Sequence, residues 1–154
     1  MADFLKLVPR VRAGVELSDG AYKSERHFLD FAVNGNSLWE RVGKRHDMVT
    51  VLCREFAEET RKAVHRLLLT EKADFPDDRR SLFICSECGE LGCGAISTVI
   101  VKEGDNIIWK AFGYENTWEK GVNAKDCAGA GPFTFDAASY QLLLLDAMSR
   151  LGQA

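Results

Sequence analysis

Short segments in the first third of the chain have the alternating pattern of β-strands. Apolar residues occupy every second position of 27–33, which is the period of a strand with one buried face. The segments 5–8 and 11–12 are rich in the same residue types and are also predicted strands. The turn residues Asn34-Gly35-Asn36 end the 27–33 strand, and a short helical stretch is predicted over 37–42.

The middle of the chain has the spacing of an α-helix. Neither glycine nor proline occurs between Asp47 and Leu69. Apolar residues recur there about every three or four positions, at Val49, Leu52, Phe56, Ala63, Val64, Leu67 and Leu68. That spacing places them on one helix face, so the sequence predicts a long central helix over 47–69. Cys53 is predicted to be a core residue on this helix.

The second half of the chain is rich in strand patterns. Apolar runs at 81–84, 95–101 and 107–112 predict three strands. The four-residue turn 103–106 contains Gly104. It predicts that the strands 95–101 and 107–112 form an antiparallel hairpin. A last short strand is predicted over 132–135.

A C-terminal helix follows that strand. Asp136 is a favourable N-cap for a helix over 137–151. One apolar stripe runs along this helix through Tyr140, Leu143, Leu144, Ala147, Met148 and Leu151. The prediction is therefore a single α+β domain spanning 1–154, mostly antiparallel sheet, with a long central helix and a C-terminal helix.

Composition and charge narrow the classes of function. The 154 residues are 46% hydrophobic and 28% charged, which is enough to bury the core of one domain. A net charge of -3 and only a short basic grouping around Lys44 argue against a nucleic-acid partner. The longest aliphatic runs, 67–69 and 142–145, are far shorter than the ~20 residues of a membrane span. Because the first residues do not form a secretory signal, we expect a cytoplasmic protein.

Three of the five cysteines lie within nine residues, at Cys85, Cys88 and Cys93. As a zinc site, this CxxC pair and the third thiol would need a fourth ligand. That ligand would have to come from Cys53, Cys127, His27, His46 or His65. As a thioredoxin-type dithiol, the pair would precede a helix, but a strand is predicted after Cys93. We therefore expect a structural turn with packed thiols and no bound metal or cofactor. A zinc site or thiol-redox centre at these three cysteines is the alternative.

An aromatic-rich stretch is formed by Trp109, Phe112, Tyr114 and Trp118. It is interpreted as core, with a binding surface as the alternative. None of the three histidines has a partner visible in the sequence, and the nucleophile-elbow, P-loop and dinucleotide motifs are missing from the sequence. The sequence therefore favours a protein that is not an enzyme.

Several motifs of the second half form a recognisable combination. They are Leu68-Leu69, Asp74-Phe75-Pro76, 79–82, the run 85–95 around CSECGELGCGA, Ile108-Trp109, Phe112-Gly113-Tyr114, and GPFTFD at 131–136 with Tyr140. Over residues 67–148 the chain resembles a widespread group of small bacterial proteins, some of them labelled oxidoreductase. The resemblance implies a bacterial cytosolic protein. It carries no established reaction, so it assigns no catalytic residue.

These observations lead to a hypothesis about function. We expect a protein-binding module, most concretely an immunity protein that neutralises a bacterial competition toxin, since such a protein needs a stable scaffold and a complementary surface. The predicted partner is a basic toxin domain. The predicted partner-binding residues are the acids Glu55, Glu58, Glu59, Asp74, Asp77 and Asp78.

Overall fold

The computed structural model describes residues 2–116 and 121–151. Its strands are β1 (Leu5–Arg12), β2 (Val15–Glu16), β3 (Tyr22–Lys23), β4 (Arg26–Val33), β5 (Asn36–Ser37), β6 (Met48–Thr50), β7 (Arg79–Cys85), β8 (Ala95–Glu103), β9 (Asn106–Glu115) and β10 (Phe133–Asp136). Its α-helices are α1 (Ala57–Leu67) and α2 (Ala137–Arg150). The predicted α+β class is confirmed.

The strands form two main antiparallel sheets and a small hairpin. One sheet has the order β1-β4-β5, and the other has the order β10-β9-β8-β7-β6. β2 and β3 pair as a separate two-stranded sheet. The segment after β6 joins the two main sheets, because the Leu29 amide donates to the Leu52 carbonyl at 3.0 Å and the Val51 amide donates to the Leu82 carbonyl at 2.9 Å.

An aromatic cluster forms the centre of the core. Trp109 on β9 is fully buried, and its ring lies 5.2 Å from Phe31, 5.0 Å from Phe135 and 6.0 Å from Tyr140, in edge-to-face arrangements. Its indole nitrogen donates to the Tyr140 hydroxyl at 3.1 Å. The aromatic stretch is therefore core at Trp109 and at buried Phe112, whereas Trp118 lies outside the described residues.

The C-terminal helix is confirmed. The Asp136 carboxylate accepts a hydrogen bond from the Ser139 amide at 2.9 Å, which is the predicted N-cap. The buried members of the apolar stripe are Tyr140, Leu144, Ala147 and Leu151. The Tyr140 hydroxyl donates to the Leu67 carbonyl at 2.7 Å and so ties α2 to the end of α1.

The prediction of one long central helix over 47–69 is wrong for the first half of that segment. Residues Met48–Thr50 are strand β6, Cys53 is extended, and α1 begins only at Ala57. Every residue from Met48 to Cys53 is buried, so both faces of this segment are covered and its apolar spacing does not distinguish strand from helix. The β-branched residues of this segment favour the strand. Cys53 is a core residue, as predicted, but it does not lie on a helix.

The two described hairpins of the larger sheet differ in their connections. The β8–β9 connection is the predicted tight turn, with Glu103 opposite Asn106. The β7–β8 connection is longer. It follows Cys85 at the end of β7, contains Cys88 and Cys93, and includes a 3-10 turn at Leu91–Cys93. No helix in the described part of the chain has the length and apolar character needed to cross a membrane.

Candidate metal centre

The three clustered cysteines lie at the end of β7 and in the connection from β7 to β8. Cys85 is the last residue of β7 and lies opposite Met48 of β6. Cys88 lies in the following turn, and Cys93 ends the 3-10 turn two residues before β8 begins. Cys85 is half-buried, whereas Cys88 and Cys93 are exposed. The sheet therefore fixes one thiol, and the turn brings the other two to it.

The three sulfur atoms converge. All lie within 4.8 Å of one another, and the Sγ atoms of Cys88 and Cys93 are 3.1 Å apart. A tetrahedral zinc with Zn–S bonds of about 2.3 Å holds its sulfur ligands about 3.8 Å apart. Small movements of the exposed side chains would bring the sulfurs to that spacing.

Backbone amides point at these sulfurs. The Glu90 amide donates to the Cys88 sulfur at 3.5 Å. Burial alone would raise the pKa of Cys85, but hydrogen bonds from the amides of Cys88 and Glu87 and from the neighbouring thiols outweigh it and lower that pKa. Hydrogen bonds to a thiolate stabilise the charged form that binds metals.

The second thiol of the CxxC pair has the opposite tendency. Desolvation and the sulfur of Cys93 raise the pKa of Cys88 to about 12. The cluster therefore favours one thiolate, at Cys85. The thiols of Cys88 and Cys93 donate hydrogen bonds to it. A divalent cation that binds here would displace the remaining protons.

Two glycines allow the chain to turn around the sulfurs. Gly89 follows the CxxC pair with φ +68°, and Gly94 follows Cys93 with φ +111°. Side chains rarely adopt these backbone conformations. A Cβ atom on Gly89 would lie 3.3 Å from the Phe56 ring, and one on Gly94 would collide with the Tyr114 hydroxyl.

An arginine holds the carbonyl groups of the turn from one side. Arg26 donates from Nε to the Ser86 carbonyl at 2.6 Å and from Nη2 to the Glu87 carbonyl at 2.9 Å. Its guanidinium also lies 4.6 Å from the centre of the Phe56 ring, and the same ring faces Gly89. These contacts of Arg26 and Phe56 hold the turn through carbonyl groups and a ring, not through a cysteine sulfur.

A second arginine, Arg12, holds the Glu87 side chain of the turn. Arg12, only 7% exposed, donates to Glu87 at 2.7 Å and to Asp47 at 2.8 Å. Lys23 also contacts Asp47, at 2.9 Å. Desolvation alone would raise the pKa of Glu87, but hydrogen bonds from Arg12 and Ser24 outweigh it and lower that pKa. The turn is thus connected to β1 and to the β2–β3 hairpin.

The protein brings three ligands together within the described residues. The His, Cys, Asp and Glu side chains there include one group close enough to share a metal, and it consists of the three cysteines. The fourth ligands considered from the sequence lie in other contacts: His27 with Glu55 at 2.8 Å, His65 with Thr70 at 2.9 Å, His46 stacked on Tyr114 at 4.9 Å, buried Cys127, and Cys53 at 3.5 Å from Glu55. Burial raises the pKa of Cys53 to about 12, which disfavours a thiolate there. The convergence of the three sulfurs fits the zinc or thiol alternative as well as a structural turn with packed thiols.

The redox alternative loses its usual structural support. A thioredoxin-type dithiol is activated by the N-terminus of an α-helix. The segment after Cys93 enters strand β8 at Ala95, as predicted, so no such helix follows the cysteines.

The six acids of the predicted partner-binding surface are not equivalent. Glu58 and Glu59 are exposed in the first turn of α1. Glu55 precedes the helix and accepts hydrogen bonds from the His27 amide and ring. The sequence predicts that Glu55 lies on the face of a long helix, and this prediction is wrong because α1 begins only at Ala57. The Glu55 side chain is 23% exposed.

The loop acids lie beyond the other end of α1. Asp74 is only 5% exposed, accepts hydrogen bonds from Ser81, and lies 3.6 Å from Arg66 in the last turn of the helix. Asp77 and Asp78 are exposed. Because 11 helical residues span about 16 Å, these loop acids are separated from Glu58 and Glu59. The structure does not bring the six acids together, and the immunity hypothesis stays a prediction.

Sequence reasoning missed the residues that hold the turn. Arg12 and Arg26 are 75 and 61 positions away from Glu87 in the chain. No local pattern links partners so far apart, whereas the CxxCG run itself was visible. We found no family model, curated protein or solved structure that matches this chain. The resemblance to small bacterial proteins therefore also stays a prediction.

Proposed function

We propose that the chain is a zinc-thiolate protein, in which Cys85, Cys88 and Cys93 bind one Zn²⁺. The convergence of the three sulfurs within 4.8 Å carries this proposal. Amide groups directed at the sulfurs support it, because they stabilise the thiolate form that coordinates metal. Thiolate ligands select zinc and other soft ions over Mg²⁺ or Ca²⁺.

The electrostatic surroundings suit such a centre. Three thiolates and one Zn²⁺ have a net charge of -1. Arg26 brings a positive charge to the same turn, where it donates to two carbonyl groups, whereas Arg12 is already paired with Asp47 and Glu87. Because both arginines bind groups of the turn other than the sulfurs, they do not compete with the metal for its ligands.

The number of ligands indicates what the zinc is for. Structural zinc sites are usually closed by four protein ligands, whereas sites with three protein ligands keep one position for water or another molecule. The hydrophobic core around Trp109 does not include Cys85, Cys88 or Cys93, so the fold does not need the metal to hold it together. We therefore propose an exchangeable, regulatory zinc rather than a structural one.

The cellular location is part of the same proposal. All five cysteines are free thiols in the structure. Such thiols stay reduced in the cytoplasm, where disulfides are rare. A cytoplasmic protein could therefore keep the three cysteines available for metal.

Metal content tests the proposal directly. The full chain would be purified without chelators, loaded with Zn²⁺ and passed through a desalting column before elemental analysis. We expect about one zinc per chain, as the single three-thiolate site requires, and its loss in the Cys85→Ser/Cys88→Ser/Cys93→Ser variant. Cys53→Ala and Cys127→Ala are the controls and should retain zinc. A metal-free wild type, or equal zinc in the triple variant, would overturn the proposal.

A further inference from the structure

We propose that Cys88 and Cys93 are a redox pair, which hydrogen peroxide closes into a reversible disulfide that expels the zinc. This inference rests on the proposed zinc site and gives that site a means of regulation. It assigns different roles to the three cysteines. Cys85 is the anchored ligand, and the other two are the oxidisable ligands.

The positions of the sulfurs carry the assignment. The Sγ atoms of Cys88 and Cys93 are 3.1 Å apart, and a disulfide requires about 2.05 Å. Both residues are exposed, so peroxide can reach them. Neither lies in a strand, so their side chains can approach each other without breaking a sheet hydrogen bond.

Cys85 is held differently. It is the last residue of β7, is paired with Met48 of β6, and is only partly exposed. The Gly89 amide also donates to its carbonyl at 3.0 Å. Movement of the Cys85 backbone toward either partner would therefore disturb the pairing of β7 with β6, whereas closing Cys88 onto Cys93 would not.

The oxidation proceeds in two balanced steps. The sulfur of one residue attacks a peroxide oxygen, the O–O bond breaks, and the departing hydroxide takes a proton to give water and a sulfenic acid. The sulfur of the other residue attacks the sulfenic sulfur, the S–O bond breaks, and this hydroxide also becomes water. Two electrons leave the sulfurs, and peroxide takes them. When the sulfurs begin as zinc-bound thiolates, both protons come from solvent.

The new bond removes two zinc ligands. Thiolates bind zinc, whereas the sulfurs of a disulfide carry no negative charge. Zn²⁺ would then keep only the Cys85 thiolate and leave. A dithiol that reduces the disulfide by thiol exchange would restore the site.

Peroxide treatment of the zinc-loaded chain tests this inference. Zinc release would be followed with a chromophoric chelator, while alkylated and digested samples are mapped by mass spectrometry. We expect one zinc to be released for each Cys88–Cys93 disulfide, with full recovery after dithiothreitol and added zinc. Cys85→Ser should still form the disulfide in its metal-free state. Cys88→Ser and Cys93→Ser should lose it, and Cys53→Ala should behave as wild type.

The outcomes separate the two proposals. A wild type that binds no zinc overturns both the proposed function and the proposed zinc release. Disulfide mapping of the same metal-free chain then still decides whether peroxide joins Cys88 to Cys93. A chain that binds zinc and keeps it in peroxide overturns this inference alone. A main disulfide that includes Cys85, or zinc loss without a disulfide, also overturns it.

Discussion

The aromatic core and the cysteine turn fix the backbone by different means. Around Trp109, buried rings pack edge to face at 5.0 to 6.5 Å. In the turn from Cys85 to Gly94, Arg26 holds backbone carbonyl groups, Arg12 holds the Glu87 side chain, and two glycines adopt positive φ angles. Two of its three thiols are exposed. Packing thus secures one region, whereas directed polar contacts secure the other.

The region that stabilises the fold is therefore different from the region that carries the reactive thiols. Burial of large aromatic side chains supplies much of the favourable free energy of folding, and Cys85, Cys88 and Cys93 are not part of the core cluster. The polar contacts of the turn bury less apolar surface, but they hold the Ser86 and Glu87 carbonyl groups in fixed directions. The turn can therefore present reactive sulfurs to solvent while the core keeps the fold intact.

The largest expected effect comes from a charge in the core. Leu144→Asp should destabilise the fold by several kcal/mol, because Leu144 is fully buried on α2 and an unpaired carboxylate there would be desolvated. Thermal unfolding followed by circular dichroism measures the change. Leu142→Asp is the matched control, since Leu142 lies on the same helix but is 71% exposed. Equal melting temperatures for both variants would show that α2 buries another face.

Loss of the buried arginine should have a smaller effect on stability and a specific effect on the turn. Arg12→Ala removes hydrogen bonds to Asp47 and Glu87, and we expect a cost of about 1 to 2 kcal/mol because both carboxylates are partly solvated. Zinc affinity should fall as the turn loosens.

Chemical denaturation and competition with a zinc chelator measure these two effects. Lys62→Ala is the control, since Lys62 is 57% exposed and lies 3.9 Å from Glu59. Unchanged zinc affinity in Arg12→Ala would remove this arginine from the account of the site.

The N-cap of α2 contributes a smaller amount to the core region. Asp136→Ala should cost about 1 kcal/mol, because the Ser139 amide loses its acceptor. Asp136→Asn should retain most of that stability, since an amide oxygen also accepts the bond. Urea unfolding compares the three proteins, and zinc content should be the same in all of them. Equal losses for both variants would argue against a capping role.

The smallest stability effect is expected at the exposed acids of α1. Glu58→Lys/Glu59→Lys should change the free energy of unfolding by less than about 0.5 kcal/mol. If these acids meet a basic partner, as the immunity hypothesis predicts, association with that partner should slow and lose much of its salt dependence. Association kinetics at low and high salt measure this, and identical rates for mutant and wild type would exclude this face.

Local patterns predicted the parts of the fold that are fixed by local rules. The Asp136 cap and the stripe through Leu144 lie within one helix, so periodicity located them. The segment 48–53 was misassigned because burial on both faces removes the period that separates strand from helix. Its state is decided by pairing with β7, which is distant in the sequence.

The candidate site was predictable to a similar extent. The spacing of Cys85, Cys88 and Cys93 identified the candidate ligands in the sequence. Whether Cys93 folds back onto the CxxC pair depends on the β7–β8 connection, and the turn's support depends on Arg12 and Arg26 from distant strands. The spacing of residues in the sequence shows neither the path of this connection nor the arginine contacts. The sequence alone therefore does not distinguish a structural turn from a zinc site.

The ligand count at the metal tests the central claim most directly. X-ray absorption spectroscopy of the zinc-loaded chain should show three sulfur ligands at about 2.3 Å and one nitrogen or oxygen ligand at about 2.0 to 2.2 Å. Cys93→Ser should reduce the sulfur count to two. Four sulfur ligands in the wild type, or an unchanged spectrum in Cys93→Ser, would contradict a three-thiolate centre with an exchangeable fourth position.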